Sequence, residues 1–157
     1  MTINATDIYA TGGKITLDGG SQQIILGENT NAGGNFIGGP ASGSDSGDIT
    51  IKADKLNFST VTDSAKFQYA SKLYLISNAA SFATSPTFGS GMSTTGLGYL
   101  QVGKSTNTTD LTLNGANTVA GNIDITGGAV VIGGNQTTTN SGNITVVGSG
   151  QYSGAGN

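Results

Sequence analysis

Acid–base catalysis draws on a histidine, or on two carboxylates whose proton affinities are pushed apart. The 157-residue sequence has no His, and its acids are single Asp residues scattered along the chain plus Glu28. Asp45 and Asp48, in Gly43-Ser44-Asp45-Ser46-Gly47-Asp48, are the closest pair. They could contribute to a calcium loop, but Ca²⁺ takes roughly six to eight oxygens and the Gly-Gly-x-Gly-x-Asp repeat is not there. The stretch reads as a turn before a strand. Cys is absent, which removes thiolate metal sites and disulfides. Arg is absent too: the six cations are Lys14, Lys52, Lys55, Lys66, Lys72 and Lys104. With a pI near 4.4 and no guanidinium to fork onto phosphate, nucleic acid is not an expected partner. Gly-rich stretches such as Gly148-Ser149-Gly150 lack the Lys-Ser/Thr of a phosphate-binding loop and read as turns. No catalytic residue, metal ligand or cofactor is expected.

What remains is contact chemistry. Seven of the ten aromatic residues, Phe58, Phe67, Tyr69, Tyr74, Phe82, Phe88 and Tyr99, fall within residues 58–99, and Lys52, Lys55, Lys66 and Lys72 lie in or beside that stretch. Residues 66–75 alternate well enough to be strand. Two readings stay open: the rings fill wider coils or a local cap, or Lys66, Phe67, Tyr69, Lys72 and Tyr74 form a surface that meets a glycan or a protein. Exposed aromatics supply contact area at low entropic cost. Asn-x-Ser/Thr sequons at Asn4, Asn57, Asn107, Asn135 and Asn143 are what chance gives in a chain so rich in Asn and Thr.

The elements that carry these residues are repetitive. One phrase recurs: Lys14-Ile15-Thr16-Leu17, Asp48-Ile49-Thr50-Ile51, Asp110-Leu111-Thr112-Leu113, Asn122-Ile123-Asp124-Ile125 and Asn143-Ile144-Thr145-Val146. Gly precedes four of the five, at Gly13, Gly47, Gly121 and Gly142. Period-two alternation puts both aliphatics on one face and the Thr or Asp on the other. A second apolar burst follows in three cases: Ile24-Ile25-Leu26, Leu56-Asn57-Phe58 and Val130-Val131-Ile132. Gly-rich punctuation such as Asp18-Gly19-Gly20 lies between. The unit is strand, turn, strand, polar loop. Ile15 to Ile49 spans 34 residues, Ile49 to Leu73 spans 24 and Ile123 to Ile144 spans 21, as loop insertions between equivalent coils would produce.

No segment has helical apolar spacing, and strong helix formers are sparse. Gly, Thr, Ser and Asn make up half the chain, while Ile, Leu, Val and Phe make up about 22%, so the core must be thin or repetitive. The expected architecture is a single all-β domain over residues 1–157, a right-handed parallel β-helix (β-solenoid) of about seven irregular coils with little or no helix. The competing all-β design is an antiparallel sandwich or barrel. Stacked coils reuse one strand phrase, and outward Thr16, Thr50, Thr112 and Thr145 would then form hydroxyl ladders. At the usual strand spacing the rod would be on the order of 34 Å long.

Residues 111–134 are similar to the passenger-associated repeat of bacterial autotransporters, through Leu111, Leu113, Gly115, Asn117, Thr118, Gly121, Ile125, Gly128, Val130, Ile132 and Gly133. The Gly-x-Ile-Thr-Ile phrases, with residues 2–6 and 47–53, resemble the filamentous-haemagglutinin type of exoprotein. Both resemblances imply a β-helical passenger on a Gram-negative surface, and the missing Cys suits a chain threaded unfolded through a pore. Residues 1–7 carry neither a basic nor an apolar signal region, no apolar run approaches a bilayer span, and neither end reads as a cap. A segment of a larger protein is the expectation.

Two function classes follow. One is a secreted, surface-displayed adhesin or exoprotein segment acting as stalk and binding surface, extracellular or on the bacterial cell surface, whose partners are a host or surface glycan or protein. The other is a structural subunit that stacks end to end with itself into a filament or layer. A polysaccharide-acting β-helix enzyme is a distant third, because such enzymes use clusters of basic and acidic residues in a groove.

Overall fold

The computed structural model describes residues 1–3, 7–26, 36–58, 65–88, 92–149 and 152–154. In these residues the chain is all-β, with no helix. The strands in chain order are β1 (Thr2–Ile3), β2 (Ile8–Tyr9), β3 (Ile15–Leu26), β4 (Phe36–Gly38), β5 (Ile49–Asn57), β6 (Ala65–Ala70), β7 (Leu73–Ile76) and β8 (Met92–Leu97). They continue with β9 (Leu100–Val102), β10 (Leu111–Leu113), β11 (Asn117–Val119), β12 (Ile123–Gly127), β13 (Val130–Ile132), β14 (Gln136–Thr138), β15 (Ile144–Gly148) and β16 (Tyr152–Gly154).

Three sheets collect them, in the orders β1-β3-β5-β7-β9-β12-β15, β14-β11-β8-β6-β4-β2 and β10-β13-β16. Every strand pairing is parallel. Parallel neighbours cannot be joined by a tight hairpin, so the chain must leave each sheet before it returns. From β9 onward it visits the seven-, three- and six-stranded sheets in rotation; before that it alternates between the seven- and six-stranded sheets.

The alternation of the repeated phrase sets the register. In the seven-stranded sheet Ile15 lies beside Ile49, Ile49 beside Leu73, Leu73 beside Leu100, Leu100 beside Ile123 and Ile123 beside Ile144. A second column runs Leu17, Ile51, Leu75, Val102, Ile125, Val146. Ile49, Ile51, Leu73, Leu75, Leu100, Val102, Ile123 and Ile125 are wholly buried, and each stabilises the fold by roughly 1.5–3 kcal/mol relative to exposure. Ile37 and Phe67 come from the six-stranded sheet, and Leu111, Leu113 and Val130 from the three-stranded one, to join the same core cluster.

The expected threonine ladder is only partly present. Thr16 does lie beside Thr50, but the outward row continues through Tyr74, Gln101, Asp124 and Thr145. Thr112 belongs to the three-stranded sheet, beside Val131. Its phrase has the same alternation as the others, and alternation fixes the face of a strand but not its sheet.

The glycines before the phrases meet in two groups, Gly13 with Gly47 and Gly98 with Gly121 and Gly142, with Ser71 between them. The Gly47 N–H donates to the Gly13 carbonyl at 2.7 Å and the Gly121 N–H to the Gly98 carbonyl at 3.0 Å. A Cβ on Gly121 would overlap the Gly98 oxygen, and one on Gly142 would overlap the Gly121 oxygen. Close backbone approach from one strand to the next is what requires glycine at Gly121 and Gly142.

Residues 77–88 follow β7 and run beside the end of β5, where Thr87 bridges Asn57 and Ala83 donates to the Asp54 carbonyl, and a buried amide holds the segment at Phe82. Asn107 Oδ1 accepts from the Phe82 N–H at 3.2 Å and the Thr109 N–H at 3.4 Å, while Nδ2 donates to the carbonyls of Thr126 at 2.8 Å and Thr109 at 3.2 Å.

Gly121→Ala should lower stability by about 1–3 kcal/mol through overpacking. Gly13→Ala, whose Cβ would meet only the Ala10 methyl at 3.7 Å, should change it by no more than about 0.5 kcal/mol; urea unfolding midpoints compare the two. Asn107→Ala, which strands buried donors and a carbonyl, should cost about 1–3 kcal/mol in the same assay.

Candidate functional site

The five residues expected to form a contact surface do not come together. Lys66, Phe67 and Tyr69 lie on β6 of the six-stranded sheet, Tyr74 on β7 of the seven-stranded sheet, and Lys72 in the exposed link between them. Phe67 is not a surface residue: its side chain is fully buried, with its ring centroid 5.9 Å from that of Phe58, which stands 5.5 Å from Phe88. Strand alternation turns Phe67 inward between Lys66 and Gln68, and its hydrophobic area holds it there. Phe82 is buried as well, so these four phenylalanines fill the interior.

Tyr69 has left-handed backbone, at φ 47°. That conformation is uncommon outside glycine, and the neighbouring strand shares it at Gly96, at φ 64°. A Cβ on Gly96 would lie 2.7 Å from the Tyr69 ring, so the ring lies across the glycine. The Tyr69 carbonyl accepts from Ser46 and Gly39. Tyr69 therefore shapes a corner. The Lys66 ammonium sits 4.9 Å from the Phe36 ring centroid, within cation–π range.

Tyr74 has different company. Its ring lies 5.7 Å from that of Tyr99, tilted by 57°. The Tyr99 hydroxyl donates to Asp124 Oδ2 at 2.7 Å and stands 3.4 Å from Gln101 Oε1. Gln101 Nε2 donates to the Gly103 carbonyl at 2.9 Å. Beside Tyr99 opens a groove of about 230 Å³ lined by Tyr99, Gln101, Gly103, Ser105, Asp124, Thr126 and Thr145. Partial burial, then the hydrogen bond and charge of Asp124, push the Tyr99 phenol above the ordinary tyrosine range.

Tyr99, Gln101 and Asp124 were not among the residues picked out from the sequence as a site. Gln101 and Asp124 hold the same place in their phrases as Tyr74, the middle of an aliphatic–polar–aliphatic triplet, which is the signal that places all three in one outward row. Of the sequon asparagines, Asn107 is buried with its amide engaged, and Asn4 lies outside the described residues. Asp45 and Asp48 act through the main chain: their carbonyls accept from the Gly12 and Ile15 N–H groups. Among the described residues no three His, Cys, Asp or Glu side chains gather as a metal site, and no helix is long and apolar enough to cross a membrane. No family model, curated protein or solved structure matches the chain.

The folded protein holds the Tyr99 proton more tightly than the unfolded chain. That contribution is complete below the ordinary phenol pKa of about 10 and is lost as pH rises from there towards the folded value. Raising the pH through this range should destabilise the native chain more than the Tyr99→Phe variant. Tyr9, beside Asp7, is shifted upward too, so the difference between the two proteins is the quantity to follow. An equal fall in both urea midpoints would contradict the role given to Tyr99.

Proposed function

We propose that the chain is a right-handed parallel β-helix of about seven coils, serving as stalk and binding surface in a secreted bacterial adhesin or exoprotein displayed on the cell surface. The observation that carries this reading is the rotation of the chain through three parallel sheets, with the aliphatics of successive phrases in register. A chain laid down in such turns folds from neighbour contacts and can be extended without redesigning its core. Residues 111–134, which resemble the autotransporter repeat, contain β10, β11, β12 and β13, one visit to each sheet and a return to the first. Leu111 then lies beside Val130 and Leu113 beside Ile132, so the apolar positions of that resemblance pair with one another. Missing Cys and a mostly neutral polar surface agree with export through a pore.

A second reading, an end-stacking structural subunit, draws on one observation that a longer stalk would share. Ile144 continues the inner column of Ile15, Ile49, Leu73, Leu100 and Ile123, yet is 45% exposed. Another coil laid on β15 would cover it, whether that coil came from a second copy or from the same polypeptide.

Antibody raised against the chain should label intact producing cells and block their attachment to glycan-coated surfaces. Labelling that appears only after the cells are permeabilised would overturn the display reading. Under the second reading the purified chain should lengthen into particles of constant width as concentration rises, and Ile144→Lys should prevent it.

A further inference from the structure

The outward row of the seven-stranded sheet passes from Thr16 and Thr50 to Tyr74, Gln101 and Asp124, and the groove beside Tyr99 combines an aromatic wall, a carboxylate and an amide. We propose that this groove binds one neutral hexose unit of a glycan. This deepens the reading of the chain as a display surface and rests on it.

Size is the first consideration. At about 230 Å³ the groove lies below the roughly 300–1,000 Å³ typical of pockets that enclose drug-sized ligands, which leaves room for a single sugar ring with the rest of a glycan in solvent. Gly103 contributes no side chain to the lining, and its backbone at φ 81° brings it so close to the Thr126 carbonyl that a Cβ would overlap that oxygen.

The chemistry of the lining fits a polyol. Asp124 binds Tyr99 through Oδ2, and its Oδ1 has no hydrogen-bond partner among the described residues, which leaves a charged acceptor for a sugar hydroxyl. Hydrogen bonds to a charged group are the stronger kind. Ser105, Thr126 and Thr145 add hydroxyls that both donate and accept. Tyr99 offers an aromatic ring to the C–H face of a pyranose, and the Tyr74 ring packs against it at 5.7 Å. Charge adds selectivity: the only charged lining residue is Asp124, with no Lys among them, so an anionic sugar would meet an unpaired negative charge.

The side chains are also held before any ligand arrives. Tyr99 ties Asp124, and Gln101 is fixed by the Gly103 carbonyl. Each anchored side chain loses less freedom on binding, which raises affinity without further contacts.

Binding of the purified full chain to an array of neutral, uronic-acid and sialylated glycans, with saturation-transfer NMR on methyl hexosides, tests the proposal. Neutral hexose-terminated glycans should bind in preference to anionic ones. Asp124→Ala and Gln101→Ala should each weaken that binding roughly tenfold or more, with far-UV circular dichroism unchanged, while Lys72→Ala should leave it as it was. Thr126→Phe, which fills the groove and leaves Tyr99, Gln101 and Asp124 in place at the cost of one hydroxyl, should abolish it, so the test survives a failure of the other variants to fold. Absence of neutral-glycan binding, or binding that persists in Thr126→Phe, would overturn the site. A chain that labels intact cells yet binds no sugar removes the groove alone; one that binds sugar through this groove but stays inside the cell removes the display reading alone.

Discussion

Everything in this fold depends on parallel strands meeting at the hydrogen-bonding distance of about 4.8 Å, level after level. That spacing brings Ile15, Ile49, Leu73, Leu100, Ile123 and Ile144 into one column. It also drives the corner backbones together, which is why Gly98, Gly121 and Gly142 stand one above another. Apolar burial supplies the stabilisation and the corner glycines remove the obstacle to it. With either missing, the short phrases have too little area each to stay ordered.

The same constraint leaves the outside of the sheet free. In the seven-stranded sheet the two inward columns are aliphatic, but the polar residue between them packs against little except its neighbours on the adjoining strands. The row Thr16, Thr50, Tyr74, Gln101, Asp124, Thr145 therefore changes from plain threonines to a tyrosine, an amide and a carboxylate without disturbing the core. The interior of the six-stranded sheet varies in a comparable way. Phe67 is followed in its column by Thr94, Asn117 and Gln136, and the Asn117 amide donates to Gln136 Oε1 at 2.9 Å.

Much of this was legible in the sequence. The spacings of 34, 24 and 21 residues between aliphatics of successive phrases are the strand registers themselves, Ile15 with Ile49, Ile49 with Leu73 and Ile123 with Ile144. The absence of helical periodicity agrees with a chain whose described residues contain strands and no helix. Other features needed three dimensions. Thr112 carries the same local pattern as Thr50 and yet lies in another sheet, because nothing local records which sheet the strand joins. Phe67 and Tyr74 both look like surface aromatics in an alternating run, but the left-handed turn at Tyr69 separates their environments. Tyr99 and Asp124 lie 25 residues apart and share no motif; they become neighbours only when the phrases are aligned as columns.

The alignment of the phrases can be measured directly, because the chain has no cysteine of its own. Residues in register on neighbouring parallel strands stand within the Cα separation of roughly 4.4–6.8 Å that a disulfide spans. Oxidising the double variant Thr16→Cys, Thr50→Cys should give rapid, complete intramolecular cross-linking, and Thr16→Cys with Thr112→Cys should give none. A cross-link between positions 16 and 112, or none between positions 16 and 50 in folded protein, would contradict the parallel register.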